Sequence, residues 1–72
     1  MCEYRMFKQR LYSPCAGEYD TWGIAYYCGR EMRFALEDVG CDEAMVRRLT
    51  QQLNRFDVSV CHFKDVVLDS LE

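Results

Sequence analysis

Apolar and polar positions change rhythm once along this chain, from a period of about two in the first half to about 3.6 in the second. Glu3 to Tyr12 predicts a first strand, rich in Tyr, Phe and Leu but imperfectly alternating: Tyr4 and Met6 point one way, Phe7 and Leu11 the other, and either set fits an inward face. Ser13-Pro14-Cys15-Ala16-Gly17 is a turn, because proline presets φ and glycine reaches conformations other residues avoid. The second strand, Tyr19 to Cys28, alternates clearly. Trp22, Ile24, Tyr26 and Cys28 share one face; Tyr19, Thr21, Gly23, Ala25 and Tyr27 share the other. Gly29-Arg30-Glu31 leads into a third strand, Met32 to Val39, in which Met32, Phe34 and Leu36 alternate with Arg33, Ala35 and Glu37. So short a connection requires antiparallel pairing.

Beyond Gly40-Cys41-Asp42 the spacing becomes helical. Asp42 and Glu43 place negative charge at a helix N-terminus, where the backbone dipole favours it, and the helix is expected over 42–55. Val46, Leu49, Leu53 and Phe56 form its apolar stripe, with Glu43 and Arg47 as an outward i, i+4 pair. A second helix is expected over 60–71. Its stripe is Val60, Phe63, Val67 and Leu71, and Ser59 is placed to cap its first turn through the hydroxyl. Burial of Phe63, Val67 and Leu71 would each contribute about 1.5 to 3 kcal/mol, so this last helix weighs heavily in a small domain. The predicted architecture is α+β: a single domain over 1–72, with a three-stranded antiparallel meander followed by two α-helices packed on one face. Trp22, Ile24, Tyr26, Phe34 and Leu36 are expected beneath the helices, leaving Tyr19, Thr21, Gly23, Ala25, Tyr27, Ala35 and Val39 outward.

With 72 residues the chain buries only a modest core, and a partner chain is one way to add to it. Half the residues are hydrophobic, which predicts a folded chain. The net charge of -3 lacks the basic footprint of a nucleic-acid binder. No apolar run is long enough for a membrane span and the N-terminus shows no signal-peptide pattern, so a cytoplasmic setting is expected. The five cysteines, Cys2, Cys15, Cys28, Cys41 and Cys61, are odd in number and widely spaced, and are expected as reduced thiols packed as small hydrophobes. A zinc site from Cys2, Cys28, Cys61 and His62 lacks the usual knuckle spacing.

The order Trp22-Gly23-Ile24, Asp38-Val39, Val46, Leu49, Leu53-Asn54, Val58-Ser59, His62, Asp65-Val66-Val67, Asp69 and Leu71 resembles a small domain-of-unknown-function family of clostridial bacteria. The resemblance covers about the last two-thirds of the chain. It departs at Val60, where the family places proline, and at Gly40-Cys41, which replaces a Ser-Thr type cap. Since that family has no assigned activity, the resemblance implies a strand followed by helices and no function.

His62 is the only histidine, standing where a side chain reaches back to cap its own helix. Its alternative role uses the helical line His62, Asp65, Asp69 as a metal or general-base site, which nothing else in the sequence completes. There is no His-Glu-x-x-His, no nucleophile elbow and no glycine-rich phosphate loop, so no catalytic residue, metal, cofactor or small-molecule substrate is assigned. The expected function is a non-enzymatic interaction module that binds a protein partner or a second copy of itself. Tyr19, Thr21, Ala25 and Tyr27 on the open sheet face are the contact residues, since tyrosine offers large, rigid, amphipathic area. The alternative is a single-stranded nucleic-acid binder that stacks bases on the strand tyrosines and meets phosphates with Arg5, Lys8, Arg10 and Arg33.

Overall fold

A computed structural model describes residues 1–71. Three strands, β1 (Cys2–Ser13), β2 (Gly17–Cys28) and β3 (Glu31–Gly40), are followed by two helices, α1 (Glu43–Arg55) and α2 (Val60–Leu71). The sheet is an antiparallel meander in the order β1-β2-β3. Both hairpins turn through glycine at positive φ, +74° at Gly17 and +64° at Gly29, which a side chain would disfavour. This is the α+β fold expected from the change of period.

The core lies between the sheet and the helices. Tyr4, Ile24 and Val39 from the strands meet Val46, Leu49 and Leu53 from α1 and Phe63 and Val67 from α2. The ring of Phe63 packs edge-on to those of Tyr4 and Phe34, with centroids 4.7 and 5.9 Å away. Met6, Trp22, Tyr26 and Leu36 pack around this cluster, so Tyr4 and Met6 take the inward side of β1, a choice its sequence left open.

Val39 departs from its expected outward position: it is buried in the core. The β2–β3 register explains this. Trp22 faces Gly40 and Ile24 faces Leu36, so the single residue Gly23 is opposed by Glu37, Asp38 and Val39. Asp38 takes up the excess in the left-handed region at φ 53°. The resulting bulge breaks the alternation and turns Val39 toward α1.

The helix ends show which local signals act. The Asp42 carboxylate accepts hydrogen bonds from the amides of Ala44 and Met45 at 3.1 and 3.3 Å, capping α1. Glu43 and Arg47 form the expected ion pair. At the other end the amides of Asp57 and Val58 donate to the carbonyls of Asn54 and Leu53, with Asp57 at φ 49°, the pattern of a Schellman stop. Because the helix ends there, Phe56 does not complete the α1 stripe; it is exposed under the Arg55 guanidinium. On α2 only Phe63 and Val67 of the stripe are buried, whereas Val60 and Leu71 lie at the exposed ends. Ser59 does not cap through its side chain. Its hydroxyl sits 3.2 Å from Cys61 Sγ, and the amide of His62 donates to its carbonyl instead.

Candidate interaction surface

Strand alternation gives the sheet a second face that no helix covers. The unbroken β1–β2 register places Arg5 opposite Ala25, Phe7 opposite Gly23, Gln9 opposite Thr21 and Leu11 opposite Tyr19. These pairs alternate with Tyr4–Tyr26 and Met6–Ile24, whose side chains enter the core, so they point away from the helices. Phe7 lies directly on Gly23: a Cβ there would come within 2.5 Å of the ring and 2.6 Å of the Leu36 carbonyl oxygen. The Arg5 guanidinium sits 4.9 Å from the centre of the Tyr27 ring and is paired with Glu3 at 2.6 Å. Phe7, Leu11, Tyr19 and Tyr27 are each half-buried, flanking a floor of small residues.

The floor itself is closed. Thr21 and Ala25, expected as contact residues, have 0% and 1% of their surface exposed, so only Tyr19 and Tyr27 of the four present a side chain. Larger neighbours cover the small ones, which is the physical reason: a short side chain in a pleat flanked by rings cannot reach solvent. The Thr21 hydroxyl lies 2.8 Å from Asp38 Oδ1 and 3.0 Å from the Gly40 carbonyl, and serves the bulge. Tyr19 donates to Asp38 Oδ2 at 3.0 Å, and this bond to its neutral form, with some burial, holds the phenol above its usual ionisation range. Gln9 completes the network, accepting from the Asp38 amide at 3.0 Å and donating to Glu37 at 3.2 Å. Phe7 and Leu11 are the face residues that sequence reasoning left undecided. The usable signal was a large ring set against a glycine across a hairpin.

The basic residues do not form one surface. Arg5 lies on the outer face, whereas Lys8 and Arg10, opposite Trp22 and Asp20, fall on the other side of β1. Arg10 pairs with Asp20 at 3.2 Å and Arg33 with Glu31 at 3.4 Å. Carboxylates therefore occupy the guanidinium groups of Arg5, Arg10 and Arg33 that would meet phosphates.

The edge of β1 is partly closed by a side chain. Asn54 accepts from the Tyr4 amide at 2.7 Å and donates to the Tyr4 carbonyl at 2.9 Å, while the Tyr4 hydroxyl donates to the Val58 carbonyl at 2.6 Å. The main-chain groups of Tyr4 thus face away from β2, making Tyr4–Tyr26 and, two residues on, Cys2–Cys28 narrow, non-hydrogen-bonded pairs. Cys2 and Cys28 are joined by a disulfide, contrary to the expectation of five reduced, buried thiols. Cys15, Cys41 and Cys61 are free and exposed rather than packed. His62, Asp65 and Asp69 are exposed along α2, and among the described residues no group of three or more His, Cys, Asp or Glu side chains converges as metal ligands do. No helix of the described residues is long and apolar enough to cross a membrane.

No protein-family model, curated protein or solved structure matches this chain.

Proposed function

We propose that this chain is a non-enzymatic protein-interaction module that associates with a second copy or another protein through the uncovered face of its sheet. The observation that carries this reading is the run of Phe7, Leu11, Tyr19 and Tyr27, four large side chains held half-exposed over a floor of Gly23, Ala25 and Thr21. Rings fixed by neighbours lose little freedom when a partner covers them, which is why aromatic anchors dominate protein interfaces. The small core gives added burial a direct benefit in stability. In the cytoplasm, the expected setting, glutathione would keep Cys2 and Cys28 as thiols, whereas the closed bridge belongs to an oxidising medium. The test therefore runs with and without reductant.

The experiment compares the native chain with Tyr27→Ser and Phe7→Lys by analytical ultracentrifugation and by affinity capture from the source cell extract. Loss of self-association or of a reproducible partner in both variants supports the reading. A monomer whose variants retain every partner overturns it.

A further inference from the structure

The unbroken register that begins with Ser13 opposite Gly17 runs to Glu3 opposite Tyr27 before it reaches Cys2 and Cys28, so the ladder holds these two sulfurs side by side even when they are not bonded. The pair is of the narrow kind, as the outward main-chain bonds of Tyr4 to Asn54 require, and narrow pairs bring facing side chains closest. Cys2 is exposed and Cys28 half-buried. The free thiols of Cys15, Cys41 and Cys61 stand apart, in a turn, a bend and the first turn of α2.

Anchoring changes at Tyr4. From that residue onward β1 is held by the core, by Asn54 and by the Val58 carbonyl. Glu3 and Cys2, both exposed, rest on β2, with the Met1 carbonyl accepting from the Gly29 amide at 2.9 Å. The bridge is therefore a clasp on a short arm. That arm carries Glu3, whose carboxylate pairs with Arg5 at 2.6 Å, and the Arg5 guanidinium in turn covers the Tyr27 ring.

We infer that Cys2 and Cys28 form a reversible thiol–disulfide site for small disulfides of the glutathione class, and that its state decides whether Glu3 stays on Arg5 at the Tyr27 end of the uncovered face. Closing takes two exchanges. The Cys2 thiolate, the more exposed, attacks one sulfur of the small disulfide, forms a mixed disulfide and expels a small thiolate; the Cys28 thiolate then attacks the Cys2 sulfur and expels the other. The pair gives up two electrons and two protons, and one small disulfide becomes two small thiols. Opening is the reverse, with two small thiols as reductant. The second exchange joins groups the ladder has already aligned, so this pair closes where Cys15, Cys41 and Cys61 stop at the mixed disulfide.

Once open, the arm peels back as far as Tyr4. Glu3 and Tyr27, the pair next to Tyr4–Tyr26, share two main-chain hydrogen bonds in the closed form, and these are lost to solvent. Arg5 loses its carboxylate, so that end of the face changes from a neutral pair to a free cation.

The test equilibrates the full chain in mixtures of reduced and oxidised glutathione. Thiol trapping with mass spectrometry reads the bridge, hydrogen exchange at the Glu3 and Tyr27 amides reads the arm, and circular dichroism reads the fold. As the reduced share rises, the bridge is expected to open with the circular dichroism unchanged. The Glu3 and Tyr27 amides are then expected to exchange about tenfold faster or more, and those of Phe7 and Gly23 to hold their rates. Cys2→Ser with Cys28→Ser is expected to show fast exchange in every mixture, and a chain with Cys15, Cys41 and Cys61 changed to serine to respond as the native one does. A bridge that resists reduced glutathione, or opens only as the fold melts, overturns the switch and makes the bond a fixed staple. Opening without faster exchange at Glu3 and Tyr27 overturns the arm. None of these readings involves a partner, so the result is independent of the interaction reading above.

Discussion

The side-chain amide of Asn54 makes both hydrogen bonds to the main chain of Tyr4, one as acceptor and one as donor, across 50 residues of sequence. It occupies the place of a fourth strand at one position of the β1 edge and ties the end of α1 to the sheet. Asn54→Ala is expected to leave the Tyr4 amide and carbonyl without protein partners and to destabilise the fold by about 2 kcal/mol, measured by urea denaturation. Asn54→Asp keeps the acceptor but sets a carboxylate against the Tyr4 carbonyl, so that variant should gain stability as pH falls and the carboxyl acquires a proton to donate.

Tyr4 also predicts an alkaline limit. Burial in the core first, then the nearby Tyr26, Asp57 and Cys61, push its phenol up to about 12 from an ordinary 10.0. The folded state therefore favours the neutral ring. Its contribution is full below pH 10 and is lost as pH rises from 10 toward 12, where the unfolded chain releases its proton first. Tyr4→Phe should cost about 1 kcal/mol at pH 7 through the lost bond to Val58, and should flatten the fall in stability in that alkaline window. Urea midpoints at a series of pH values, native against variant, give the comparison.

Gly23 has no room for a side chain. Gly23→Ala must displace the Phe7 ring and, less easily, the Leu36 carbonyl of the neighbouring strand. An expected loss of about 1 to 3 kcal/mol would appear as a lower melting temperature by calorimetry. Phe7→Ala in the same chain should recover only part of it, because the carbonyl remains.

The Asp38 bulge holds Tyr19 protonated. With Asp38→Asn the charge that opposes ionisation is gone, and Tyr19 should ionise closer to the ordinary tyrosine range. Absorbance titration near 295 nm, with Tyr19→Phe to identify the transition, reads this directly. Asp38→Gly removes the carboxylate and the strain of φ 53° together, so the backbone's share is read against Asp38→Ala, which lacks the carboxylate but keeps the strain.

Opening the Cys2–Cys28 bridge is expected to cost about 3.5 kcal/mol by the chain-entropy relation for a loop of this separation, 26 residues. Cys2→Ser with Cys28→Ser should match the reduced native chain in urea denaturation, and thiol titration should find three reactive groups in the oxidised protein. A value near five in the unreduced chain would show the pair to be open.

Much of the candidate face was legible, and its gaps have identifiable causes. The alternation from Tyr19 to Tyr27 told which residues share a side, but not that Thr21 and Ala25 lie beneath their neighbours, because accessibility depends on the cross-strand side chains and not on the strand's own pattern. Phe7 and Leu11 were undecided because β1 carries apolar residues on both faces, so period two has no preferred phase there. The Cys2–Cys28 pairing was within reach of counting. Once Ser13 faces Gly17, an unbroken ladder brings residue 2 opposite residue 28. The odd number and wide spacing of the cysteines point elsewhere.

By itself the sequence determined the order of strands and helices, the two turns, the acidic start of α1 at Asp42 and Glu43 and the apolar positions Val46, Leu49, Leu53, Phe63 and Val67, because each follows from neighbours within a few residues. Tertiary structure alone decided the left-handed bulge at Asp38 that sends Val39 inward, the grip of Asn54 on Tyr4 and the inward side of β1. Those depend on registers between distant segments. A local pattern carries no information about which side chain will stand opposite until the strands have paired and the helices have come to rest on one side of them.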